Sequence, residues 1–203
     1  MSKQKLQVAG TIVAAIAALA LSTIAQAADD EKEVYNAFAV NMGGAMQGTS
    51  GTFQITITRW STNEERLMLL NTLEQKGHDD FMKALRKQKE TGFVEGRGRL
   101  AAANPFPSTR LHSAWQQEKD GKREVVLVTD RPLGMREAAS QSRTLDYDTT
   151  VIIMEFPVDN KDADGTGTLY TALKIRYDDK EKKLKVENWG QQPTRLTKIT
   201  RDK

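Results

Sequence analysis

The sequence predicts an α+β domain in which a mostly antiparallel sheet of about eight strands carries an αα-hairpin on one face. Three observations carry that expectation. Phe53, Ile55 and Ile57 alternate with Gln54, Thr56 and Thr58, the period-2 pattern of a half-buried strand. Two helical phrases then follow with Gly77 between them. Val125–Val128 and Thr149–Phe156 are apolar runs of the kind found in strands covered on both faces. A partly closed β-barrel with helices is the alternative architecture, because a sheet curled on itself also covers both faces of a strand.

Residues 1–27 read as a signal peptide and 28–203 as a single α+β domain. Lys3 and Lys5 give a positive start, Val13 to Ile24 an apolar run, and Ala25-Gln26-Ala27 the small-residue pattern at which a leader is cleaved. Losing those two lysines takes the net charge from +3 to +1. Near-neutrality argues against a nucleic-acid partner, and contact with a membrane is expected only through an uncleaved leader. The chain has no cysteine. Thiol catalysis, thiolate zinc sites and a lipid-bearing cysteine are thereby excluded, and an exported domain must be held by packing and hydrogen bonds alone.

Val34–Asn41 reads as a first strand and the glycines from Gly43 to Gly51 as a connection to the strand at Phe53. The first helix is expected from about Thr62 to Gln75. Ser61 with Glu64, or Thr62 with Glu65, has the spacing of a capping box. Leu67, Leu70 and Leu73 track one face, with Leu69 beside them. Gly77 is placed as the C′ residue. The second helix has Asp79 and Asp80 at its start, Lys83, Arg86, Lys87 and Lys89 towards its end, and Phe81, Met82 and Leu85 as its buried side. Gly92 is expected to stop it. Strand-like sequence resumes at Phe93-Val94, and Asn104–Pro107 reads as a rigid loop. Arg110–Lys119 and Lys122–Asp130 are joined across Asp120-Gly121, a hairpin signal. Leu133–Asp148 reads as a long surface loop. Three further strands follow the one at Thr149, over 167–177, 183–189 and 194–201.

Few residues point to chemistry. Asn160, Asp162, Asp164 and Gly165 occupy EF-hand positions, but Thr171 stands where the bidentate glutamate is needed, so a polar hairpin turn is expected. His78 and His112 have no partner at metal-ligand spacing, and no serine has a G-x-S-x-G context. The sequence assigns no catalytic residue, metal ligand or cofactor. Arg59 shares the inward parity of Ile55 and Ile57, and Asp130 ends the most apolar strand. The two are expected to pair. With Trp60 and Arg131 they form the candidate ligand-binding group, and Trp115 and Trp189 supply further aromatic surface.

Three phrases, Arg59–Arg66, Val128–Pro132 and Val186–Gly190 with Arg195-Leu196-Thr197, resemble a family of uncharacterised exported bacterial proteins. The resemblance implies an exported single domain and carries no activity or site. The function expected is a periplasmic or secreted, non-enzymatic binding or interaction module, its partner a small molecule or a protein. The alternative is a hydrolase whose carboxylates converge only in the fold. A deep pocket with two carboxylates would favour the hydrolase, and an apolar groove or open sheet edge the binding module.

Overall fold

The computed structural model describes residues 32–41, 50–97, 108–131, 133, 148–160, 163–178, 183–188 and 193–202. The leader, Asn104–Pro107, Pro132, residues 134–147, Asp162 and Trp189 lie outside them. Among these residues ten strands form one antiparallel sheet: β1 (Glu33–Asn41), β2 (Ser50–Ile57), β3 (Gly92–Arg97), β4 (Thr109–Leu111), β5 (Ser113–Lys119), β6 (Lys122–Thr129), β7 (Thr149–Pro157), β8 (Gly165–Asp178), β9 (Lys183–Asn188) and β10 (Thr194–Arg201). Their order is β4-β3-β2-β1-β10-β8-β7-β6-β5, with β9 paired to β8. The helices are α1 (Asn63–Lys76) and α2 (His78–Arg86).

The two ends of that order are joined by a single residue. Arg110–Lys119, expected as one strand, breaks at His112: β4 pairs with β3, and β5 pairs with β6. The His112 amide bends out to Val128 O at 3.0 Å. A strand that changes partners at a bend turns a sheet into a nearly closed barrel. The stretch after β2 seals the same seam, with Ser61 N donating to Ala114 O and Ala114 N to Ser61 Oγ at 2.8 and 3.1 Å.

Curling explains the apolar runs. Val125 and Leu127 of β6 and Ile152 and Met154 of β7 point into the barrel against Tyr35, Ile55, Ile57 and Leu196. Val126, Val128, Val151 and Ile153 point the other way, beneath the helical hairpin. Every residue from Val125 to Thr129 and from Thr149 to Met154 is buried. The β7–β8 register shifts between Thr149 and Val151. That bulge resets the alternation, so Tyr170, Leu173 and Ile175 all join the hairpin side.

Thr62 caps α1: its Oγ1 accepts from Glu65 N, and Glu65 Oε2 accepts from Thr62 N, at 3.2 and 2.9 Å. Ser61 does not, because its hydroxyl is taken by Ala114. Leu69 and Leu73 are buried and Leu70 packs beside them, whereas Leu67 faces solvent at 54% exposure. Gly77, at φ +82°, both ends α1 and begins α2. Helix α2 stops at Arg86, before Gly92. Gly92 is instead the first residue of β3, paired with Ile57 and Leu111. Asp120 and Gly121, at φ 52° and 72°, form the two-residue turn between β5 and β6.

Inside the barrel the charge is paired. Arg123 on β6 reaches both carboxylate oxygens of Glu33 on β1, at 3.1 and 2.9 Å, and lies 5.8 Å from the Trp60 ring centroid. Tyr35 donates its hydroxyl to the same carboxylate, and burial pushes that phenol far above its usual range. No helix among the described residues is long and apolar enough to cross a membrane.

Candidate functional site

The expected Arg59–Asp130 pair does not form. Strand β2 ends at Ile57 and the chain bends at Arg59, so the alternation is lost and Trp60 takes the inward position, 6% exposed. The Arg59 guanidinium turns back instead. Nη1 bonds Glu65 Oε2 and Trp60 O at 2.8 and 3.1 Å, Nη2 bonds Glu65 Oε1 and Lys89 O at 2.9 and 2.6 Å, and Nε bonds Glu90 O at 3.2 Å. These bonds use all five of its donors. Burial alone would raise the Glu65 carboxyl, but the Arg59 bond and the cap amide hold it below its usual range. Arg59 is therefore a clamp between the start of α1 and the chain leaving α2.

Asp130 belongs to a different cluster, which the sequence does not announce. Arg86 of α2 bonds Asp130 Oδ2 through Nε at 3.2 Å and Asp148 Oδ2 through Nη2. His112 Nε2 lies 3.3 Å from Asp130 Oδ1, and His78 Nε2 lies 3.3 Å from Asp148 Oδ1. Two carboxylates, two imidazoles and a guanidinium thus staple α2 to the ends of β6 and β7. The Ile175 amide donates to His78 Nδ1 at 3.1 Å, which fixes the His78 proton on Nε2, facing Asp148. Neither nitrogen of His78 is left for a substrate. His112 Nδ1 is buried away from solvent. Among the described residues no group of three or more His, Asp or Glu is placed to hold a metal ion. Arg131 is exposed beyond β6, its amide on Thr129 Oγ1. The four candidate residues therefore fall in four settings: clamp, barrel core, staple and exposed turn.

The staple sets a pH dependence. The His112 hydrogen bond, with help from Arg86, holds the Asp130 carboxyl below its usual range against burial. At Asp148 burial is outweighed by the His78 bond and the Arg86 charge, so that carboxyl is lowered too. Groups with depressed native pKa values stabilise the fold above their ordinary pKa of about 3.9 and lose that contribution as pH falls through the native values. The melting temperature should therefore drop steeply below about pH 4, and less steeply in the D130N/D148N variant. Identical slopes in thermal melts of the two proteins would show that the staple contributes nothing.

Beneath the hairpin lies an apolar cleft of about 40 Å³. Its roof is Leu69, Leu70 and Leu73 of α1 with Phe81 and Leu85 of α2, and its floor includes Val126, Val128, Val151 and Ile175. Arg66, Ser113 and Trp115 complete the lining, almost entirely through their carbon atoms. Ser113 Oγ is 3.2 Å from Ser61 Oγ. The Trp115 indole N–H is buried and meets no acceptor among the described residues, a state that costs about 1–3 kcal/mol. Burial pushes the Arg66 guanidinium down from its ordinary range. Strand and helix periods place these groups: Ser113 and Trp115 share one face of β5, and Arg66 sits three, four and seven residues before Leu69, Leu70 and Leu73. That last spacing was readable as a charge within an apolar stripe. The unpaired indole was not, because its surroundings come from five other elements.

The staple bears on this cleft. Arg86 follows Leu85 directly, and Asp130 and Asp148 follow and precede strands whose residues form the floor, so the staple fixes the height of the roof. Comparison with family models, with curated proteins and with solved structures finds no match to the chain.

Proposed function

We propose that the protein is an exported binding module that holds a small, largely apolar molecule in the cleft beneath its helical hairpin. The observation that carries this reading is the cleft itself, an apolar space between the hairpin and the sheet with aliphatic and aromatic walls. Predominantly apolar walls are the usual composition of a small-molecule site. The hydrolase reading finds less support. Asp130 and Asp148 converge, but each is held by Arg86 and a histidine, and the described residues lining the cleft include no carboxylate.

The test compares wild type with Leu70→Phe, which fills the cleft from its roof. Both proteins are recovered from the periplasm, denatured and extracted, and the extracts are compared by untargeted mass spectrometry. Wild type is expected to release a small compound that the variant lacks. The variant's melting temperature is expected within about 4 °C of wild type, the shift that about 1 kcal/mol produces in a chain of this size. Indistinguishable extracts from two folded proteins would remove the cleft as a binding site.

A further inference from the structure

We infer that His78 is a proton-sensitive latch on the elbow of the helical hairpin, fastened while its imidazole is neutral and loosened when it takes up a proton. The inference concerns the hairpin's hold on the sheet and does not depend on the cleft holding a ligand. His78 is the first residue of α2, directly after Gly77, and its side chain is 4% exposed. Nδ1 accepts the Ile175 amide of β8 at 3.1 Å, and Nε2 faces Asp148 Oδ1 at 3.3 Å. Among the described residues β7 pairs with β8 only as far as Leu173, so His78 takes the amide that lies just beyond the ladder. An imidazole that accepts at one nitrogen and donates at the other is neutral, whereas imidazolium carries an N–H at both. A proton on Nδ1 thus sets two donors against each other, and the Ile175 amide loses its acceptor.

Position makes this bond a latch. At the opposite end of the hairpin Arg59 ties the start of α1 to the chain leaving α2. Loosening His78 therefore frees the elbow while the clamp keeps the hairpin attached. The barrel has a core of its own, built around Tyr35, Ile55, Leu127 and Ile152, which shares no residue with the core under the hairpin. The charges about His78 do not replace the lost bond. Asp148 attracts an imidazolium, but it faces Nε2, where a proton already sits, and its other oxygen is held by Arg86. Lys76 and Asp79, close by in the chain, are exposed. On β8 Tyr177 packs on the hairpin side with Ile175, while Lys174 and Arg176 alternate to the other side. The N-terminus of α2 also opposes a positive charge on its first residue.

The experiment follows amide hydrogen exchange by NMR in the full mature protein between about pH 7.5 and about pH 5.5, with rates corrected for intrinsic exchange. That interval brackets the titration of a free imidazole and lies above that of carboxyl groups. Protection of the Ile175 amide and of α2 is expected to fall at least about tenfold across it, while Leu127 and Ile152 keep theirs. His78→Asn keeps an acceptor oxygen near the place of Nδ1 and cannot take up the proton, so its protection should be flat. Constant protection in wild type, or an equal fall in His78→Asn, overturns the latch. So does a loss shared by the barrel, which is unfolding rather than a freed elbow. If His78→Asn is unprotected throughout, the ring nitrogen shifts of wild-type His78 decide. Imidazolium forming in step with the loss at Ile175 supports the latch, and imidazolium forming with Ile175 still protected overturns it.

Discussion

Arg59→Met is expected to destabilise the fold by about 3–5 kcal/mol, the cost of breaking a largely buried ion pair from one side. Only 12% of the Arg59 side chain is exposed, against 25% for Glu65. Its removal strands the Glu65 carboxylate, which caps α1 and whose pKa depends on that partner. It also releases the carbonyls of Trp60, Lys89 and Glu90, so the start of α1 and the exit from α2 lose their common tether. In a chain of this size the melting temperature should fall by roughly 10 °C. Partner identity is tested by two double-mutant cycles. Arg59→Met with Glu65→Gln should lose much less than the sum of the single variants, whereas Arg59→Met with Asp130→Asn should be additive. Strong coupling in the second cycle would contradict the separation of clamp and staple.

Gly92→Ala should be comparably damaging, for a reason that involves no lost contact. Gly92 has φ +154°, a conformation that costs other residues about 1–3 kcal/mol. A Cβ at that position would also stand 1.9 Å from Thr56 O and 3.0 Å from Ile57 Cα. That overlap lies on backbone already fixed by the β2–β3 ladder, so relieving it adds about 1–3 kcal/mol more. Gly92 also pairs with Leu111, beside the seam at His112. The strain therefore falls where the barrel closes. Gly121→Ala is the control: φ is +72°, but a Cβ there meets nothing within 4 Å, so about 1–2 kcal/mol is expected. Thermal melts in which Gly92→Ala matched Gly121→Ala would show that the close approach to Thr56 is easily relaxed.

Locally encoded features were legible in the residues. The strand from Phe53 to Ile57, the Thr62–Glu65 box, the buried side of α2 and the Asp120-Gly121 turn each depend on neighbours a few positions away, and each appears where its pattern stood, although Thr56, on the strand's polar side, is buried as well. The doubly apolar runs of β6 and β7 were equally clear about burial, yet silent on what does the burying. The hairpin covers one face and the far side of the curled sheet covers the other.

What the tertiary structure decided was which distant residue each polar group meets. Ser61 and Thr62 were equivalent as caps until Ala114, 53 residues on, took the Ser61 hydroxyl. Arg59 kept the inward parity of β2 only on the assumption that the strand continued. It ends at Ile57, so the guanidinium turned to Glu65 and left Asp130 to Arg86 and His112. The seam at His112 had no sequence signature, because a break between two pairings is visible only once both partners are in place. The cleft is the extreme case. A half-buried arginine, a serine and an indole lie on two elements that the chain brings together by curling, and periodicity along one element carries no information about the face of another.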